Sequence, residues 1–198
     1  MAAERIDLPT IRPSMLLGAA SGGVVNNAKV ASQIAQLLLE PLIGATEALV
    51  NMPLRVEDRG DRWWITGNRS AAGSDERGAG PIEVRKHDSA ILAPGATGNL
   101  LGDAASAEKF AATILANAAG VEELRRQSPL IAEDHGDSWR VRGSANAKRV
   151  AEGPGPFELL VQKRDARVLD MWFEWVLNTP PDVQSMLRAR ASKPSRDR

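Results

Sequence analysis

The chain carries one stretch of sequence twice, and any fold it adopts has to accommodate that duplication. Pro53, Leu54, Glu57, Asp58, Gly60, Asp61, Trp63 and Gly67 recur without a gap as Pro129, Leu130, Glu133, Asp134, Gly136, Asp137, Trp139 and Gly143, an offset of 76 residues. The same offset sets Ala31 on Ala107, Ile34 on Phe110, Ala35 on Ala111 and Gly44 on Gly120. Downstream, Gly80-Pro81-Ile82-Glu83-Val84 aligns with Gly155-Pro156-Phe157-Glu158-Leu159, and after a further insertion Asp88, Ile91 and Leu92 align with Asp165, Val168 and Leu169. A repeat of this length is one supersecondary unit used twice.

Each copy reads as a helix followed by an antiparallel meander. Val30, Ile34, Leu37 and Leu38 recur at helical spacing, as do Phe110, Ala111 and Ile114. Asn27 and Ser106 stand where N-caps are expected, and Pro41 is expected to break or kink the first helix. Strands follow around 54–57 and 63–66, joined through Arg59-Gly60, and a Gly-rich loop over 70–80 leads to a third strand at 82–86. A short fourth strand is expected near Ile91. The fold class is therefore α+β: two tandem units, each a helix on a three- to four-stranded antiparallel sheet, plus a C-terminal helix. That helix starts at Thr179-Pro180-Pro181-Asp182 and has Val183, Met186 and Leu187 on its apolar side. The expected boundaries are an N-terminal arm over 1–27, a first repeat over 28–92 and a linker over 93–106. A second repeat with the C-terminal helix takes 107–192, and a flexible tail 193–198.

Alternation along the strands assigns their faces. Leu54, Val56, Trp63, Ile65, Ile82 and Val84 face the helix in the first unit, and Leu130, Ala132, Trp139, Val141, Phe157 and Leu159 in the second. The outer faces differ, with Arg55, Trp64 and Arg85 in the first unit and Ile131, Arg140 and Leu160 in the second. These six are the candidate partner-binding residues, the hairpin tips coming second. An outward Ile131 beside Leu160 needs a cover. The run from Met171 to Leu177, the Trp64 face of the first unit, or a partner protein could supply it.

Composition excludes much chemistry. Cysteine and tyrosine are absent and only two histidines are present, which removes thiol nucleophiles, disulfides and histidine-rich metal centres. Twenty-five basic residues balance 25 acidic ones, without the basic excess of a nucleic-acid binder. Arg125, Arg126, Arg140, Arg142, Lys148 and Arg149 make the second unit locally positive, as a solvated face. No run approaches a membrane span, and Met15-Leu16-Leu17 follows acidic residues and prolines instead of a basic leader, so a cytoplasmic protein is expected. Glu57, Asp58 and Asp61, with their copies, read as turn chemistry around Gly60 in preference to a cation site. His87 and His135 have no histidine counterpart in the other copy and read as surface residues. The Gly-rich stretch lacks the Lys-Ser/Thr ending of a phosphate loop and precedes a strand. No cofactor or metal is indicated.

Helix, Pro-Leu, Gly60-Asp61-Arg62-Trp63-Trp64-Ile65-Thr66-Gly67, a loop, Gly80-Pro81-Ile82-Glu83 and a charged turn form a pattern that resembles the bacterial immunity proteins with a nuclear transport factor two-like fold. The second copy carries it as Gly136-Asp137-Ser138-Trp139-Arg140-Val141-Arg142-Gly143. The chain departs from that group in having Asp88-Ser89 and Asp165-Ala166 where Asp-Gly is usual, Gly-Pro where Gly-Gly is usual, and two copies. The resemblance implies cystatin-like units and a non-enzymatic bacterial protein, monomer or homodimer, that binds a cognate toxin and blocks it by occlusion. A scaffold of two fused units is the alternative. A small-ligand binder or enzyme of the same cone-shaped fold is disfavoured, because the inward positions hold no acid or base.

Overall fold

In the computed structural model, residues 23–68, 81–93, 98–144 and 154–175 are described. The expected Gly-rich loop, most of the arm, the C-terminal helix and the tail lie outside them. The same order of elements occurs twice: α1 (Ala28–Ile43), α2 (Ala45–Val50), β1 (Arg55–Asp58), β2 (Arg62–Thr66), β3 (Ile82–Arg85) and β4 (Ile91–Leu92), then α3 (Ala104–Ala119), α4 (Val121–Gln127), β5 (Ile131–Asp134), β6 (Ser138–Arg142), β7 (Pro154–Gln162) and β8 (Val168–Trp175). The strands form two four-stranded antiparallel sheets in sequential order, so the chain is α+β. No helix among the described residues is long and apolar enough to cross a membrane.

Helix α1 begins at Asn27, whose Oδ1 accepts from Val30 N at 3.0 Å. Its counterpart in α3 is Asp103, which accepts from Ser106 N at 2.7 Å. The cap is thus Asp103 and not Ser106, and it keeps the offset of 76. Pro41 does not end α1. It lies in the last turn, and both long helices stop at a glycine of positive φ, Gly44 (87°) and Gly120 (90°). Glycine there turns the chain at little steric cost. The short helices α2 and α4 then follow, which the hydrophobic spacing of the sequence had not separated from their surroundings.

The third strands correct the repeat alignment. Ile65 pairs with Ile82, and the equivalent Val141 pairs with Leu159. Ile82 therefore corresponds to Leu159 and Glu83 to Leu160, two residues beyond the match of Gly80-Pro81 with Gly155-Pro156. The faces survive because a shift of two preserves strand alternation. The core takes α1 and α3 against the inner faces, with Ile34, Leu38, Phe110, Ile114, Val84, Phe157 and Leu159 fully buried.

A tryptophan in each half ties helix entry to sheet. Trp63 Nε1 donates to the Val25 carbonyl at 2.8 Å, and Trp139 Nε1 to the Leu101 carbonyl at 2.9 Å. Val25 N donates to the Lys86 carbonyl and Leu101 N to the Lys163 carbonyl, at 2.9 and 3.0 Å. Val24, Val25, Leu100 and Leu101 are buried, so the segments read from sequence as the end of an arm and as linker are built into the core.

The halves meet through the β3–β4 and β7–β8 turns. Ile91 N donates to the Asp165 carbonyl at 2.9 Å, and Val168 N to the Asp88 carbonyl at 2.8 Å. Since Ile91 matches Val168 and Asp88 matches Asp165, the two bonds exchange roles as across a two-fold axis. Ser89 and Ala166 sit at this seam, fully buried, with φ of 61° and 52°. Ser89 Oγ donates to the Ala166 carbonyl at 2.8 Å. Helices α1 and α3 pack on one another, and Asn117 Nδ2 donates to the Val24 carbonyl at 3.0 Å.

Two stability outcomes follow from these contacts. Trp139→Phe leaves the buried Leu101 carbonyl without its donor and should cost about 1–3 kcal/mol in denaturant unfolding. Ser89→Val puts a β-branched side chain at positive φ and removes the seam bond, and should cost about 2–4 kcal/mol. A Ser89→Val midpoint equal to wild type would show that the seam carries no stability.

Candidate functional site

Trp64 lies at the centre of the outer face of the first sheet. Pairing sets it directly between Glu57 on β1 and Glu83 on β3. Diagonal neighbours on a sheet are within reach of long side chains, and those of Trp64 are Arg55 and Arg59 on one side and Arg85 on the other. Arg59 is stacked on the indole, its guanidinium carbon 3.9 Å from the ring centroid. The arrangement is a half-exposed aromatic framed by guanidinium groups, with carboxylates in its own row.

The arginines are held unequally. Arg85 makes two 2.6 Å bonds to the Asp88 carboxylate, and Arg62 reaches Glu83 at 2.6 Å and Asp61 at 3.0 Å. Arg59 bridges Glu57 at 3.2 Å. Arg55 is exposed and has no ion-pair partner among the described residues. Beside this face a groove of about 210 Å³ is lined by Arg62, Glu83, Arg85, Leu92 and Asp165. Asp165 comes from the second unit, so the docked second half contributes to the groove's lining. Leu92 stands 62% exposed at its rim.

The second outer face does not bring its candidates together as expected. Leu160 lies opposite Arg140, but Ile131 lies opposite Arg142 in the next row. Arginines of β6 separate Ile131 from Leu160, so they form no joint patch. Ile131 is 54% exposed whereas Leu160 is half-buried. Leu160 corresponds to Glu83 and not to Arg85. Arg140 is bonded to Glu158, and Arg142 approaches the same carboxylate at 3.4 Å. Arg142 also lies 3.7 Å from Glu133, so both arginines of this face have acid partners. Of the run from Met171 to Leu177, one of the expected covers, the described part up to Trp175 belongs to β8 itself, where Trp172 is buried in the row of Glu158.

A second surface escaped the sequence reading because α2 did. Leu49 is 74% exposed and Val50 is exposed beside a groove of about 230 Å³ between α1 and α2, lined by Glu40, Ala48, Leu49 and Met52. The equivalent positions on α4 are Arg125 and Arg126, paired with Glu122 and Glu123 one turn earlier. The offset of 76 was the available signal. The same offset pairs two buried polar residues that were also missed, Asn51 and Gln127. Gln127 Oε1 accepts from Phe157 N at 3.0 Å, a role in the framework of the sheet.

The hairpin tips are turn chemistry. Asp58 Oδ1 accepts from Gly60 N at 2.9 Å and Asp134 Oδ1 from Gly136 N at 2.8 Å, with both glycines at positive φ. The same carboxylates take the ammonium groups of Lys86 and Lys163 at 2.6 Å. Those ammonium groups also stand 4.3 and 4.4 Å from the ring centroids of Trp63 and Trp139. Both histidines are exposed.

The lysine bonds, and then the glycine amides, hold Asp58 and Asp134 below the ordinary aspartate range. A depressed carboxylate contributes stability that is complete above its unfolded pKa and is lost as pH falls through the folded value. Thermal stability should therefore fall on acidification below about pH 4. The double variant Asp58→Asn/Asp134→Asn should fall less steeply, and an identical slope would remove these pairs from the acid response. Compared with protein families, curated proteins and solved structures, the chain gives no match.

Proposed function

We propose that the chain is a non-catalytic protein-binding module, a cytoplasmic bacterial immunity protein of two cystatin-like units that neutralises a cognate toxin by covering it. The observation that carries the reading is Trp64 in its frame of Arg55, Arg59 and Arg85. Tryptophan and arginine dominate the energetic centres of protein interfaces, because each offers large contact area together with polar donors. The first unit presents them together on an outer face, while the second has Arg140 in place of the tryptophan, bonded to Glu158. Resemblance of the Gly-Asp-x-Trp pattern to immunity proteins supplies the class of partner. Occlusion needs no reacting group, only a complementary surface with a few anchors.

The test is capture from the native cells with tagged wild-type protein and, beside it, Trp64→Asp. A single toxin-like protein should be recovered by wild type and lost with the variant. Measured with that purified toxin, Trp64→Ala should weaken binding at least about 30-fold with an unchanged melting temperature. Equal affinity in the variant would move the interface off this face. Failure of the recovered protein to lose its toxicity on binding would refute neutralisation.

A further inference from the structure

The two halves differ at one sheet edge where their backbones agree. β1 and β5 each form one edge of their sheet, opposite β4 and β8. At each hairpin the last strand-side amide closes the turn, Arg59 N donating to the Arg62 carbonyl and His135 N to the Ser138 carbonyl, both at 2.9 Å. Bonded and non-bonded pairs alternate from there. The pairs Val56–Ile65 and Ala132–Val141 are therefore non-bonded ones, and the N–H and C=O of Val56 and Ala132 point out of the sheet. In the second half Ala132 N donates to Glu108 Oε1 on α3 at 3.1 Å. The residue 76 positions earlier, on α1, is Ser32, and Val56 N–H has no partner among the described residues. Among the described residues, one edge is capped by a carboxylate and its counterpart is open.

We infer that the open edge of β1 pairs antiparallel with β1 of a second copy, centred on Val56, so that the protein is a homodimer. In that register each Val56 exchanges N–H···O=C bonds with its counterpart. Arg55 comes opposite the partner's Glu57, and Glu57 opposite the partner's Arg55. Centring on Glu57 instead would set Glu57 against itself and Arg55 against Arg59, like charges that disfavour that register. Arg55 is also a cation of this face with no acid partner among the described residues. The contact is isologous and uses the β1 edge of both copies, so this contact by itself closes at two, and the equivalent β5 edge is capped. It also extends the outer face, continuing the row Glu83–Trp64–Glu57 into the partner's Arg55. Dimer formation is independent of what Trp64 binds.

Sedimentation equilibrium of the full chain tests this. Wild type should show twice the 21.2 kDa of one chain. Arg55→Glu and Glu57→Arg should each weaken the dimer about tenfold or more, and the double variant Arg55→Glu/Glu57→Arg should restore it. Ser32→Glu, which supplies to Val56 the cap that Glu108 gives Ala132, should yield a monomer that is still folded by circular dichroism. Glu108→Ala should leave the dimer intact. A wild-type monomer at every accessible concentration would overturn the proposal, as would a dimer indifferent to both Arg55→Glu and Ser32→Glu. A folded double variant that stays monomeric would overturn the register.

Discussion

The seam between the halves governs the rest of the structure. Ser89 and Ala166 occupy left-handed backbone with both side chains fully buried, a conformation that costs free energy for any residue but glycine and persists only where the surroundings impose it. Here the other half imposes it, through the exchanged amide bonds of Ile91 and Val168 and through the Ser89 hydroxyl. This accounts for residues other than glycine at positive φ in the two turns. The first turn uses its side chain as a hydrogen-bond donor across the seam, and in both turns the Cβ is packed away from water. The seam also sets α1 against α3, so both outer sheet faces are turned away from the helices.

Within each half the organising contact is the buried indole. Trp63 and Trp139 donate to the chain just before a long helix, while a lysine ammonium covers the ring and is itself held by the aspartate of the hairpin tip. Helix entry, hairpin and third turn are therefore coupled through one side chain. The tryptophan, lysine and aspartate recur in both copies, which is what a framework requires. Buried positions change size but keep their place in the core or seam, as Ile34 against Phe110, whereas Trp64 against Arg140, Leu49 against Arg125 and Ser32 against Glu108 change from uncharged to charged outside the fully buried core. A duplicated chain needs its core twice, but it needs an interface only where a partner meets it.

Much of the framework was legible in the sequence. The offset of 76, the alternation of the strands and the Asp-x-Gly turns led to two α+β units with correct inner faces. Errors came where local pattern and tertiary context diverge. Pro41 reads as a breaker, yet α1 runs on through it to Ile43 and stops only at Gly44, where the chain turns at positive φ. Ser106 reads as a cap, but the chain starts its helix earlier, at Asp103. The match of Gly80-Pro81 with Gly155-Pro156 is real in sequence and wrong in register, because β7 is longer than β3 and pairing is settled by the neighbouring strand.

By itself the sequence determined the duplication, the class of fold, which residues face each core and which residue types remain to contact a partner. These depend on periodicity and composition, which are local properties of the chain. Tertiary structure alone decided how the halves dock, that Asp165 helps line a groove beside Arg85, that Ile131 and Leu160 are kept apart, and that, among the described residues, one sheet edge is capped while its equivalent is open. Each of these is a relation between segments far apart in the chain. It is set by hydrogen-bond register and by the match of two surfaces, and no window of sequence contains either.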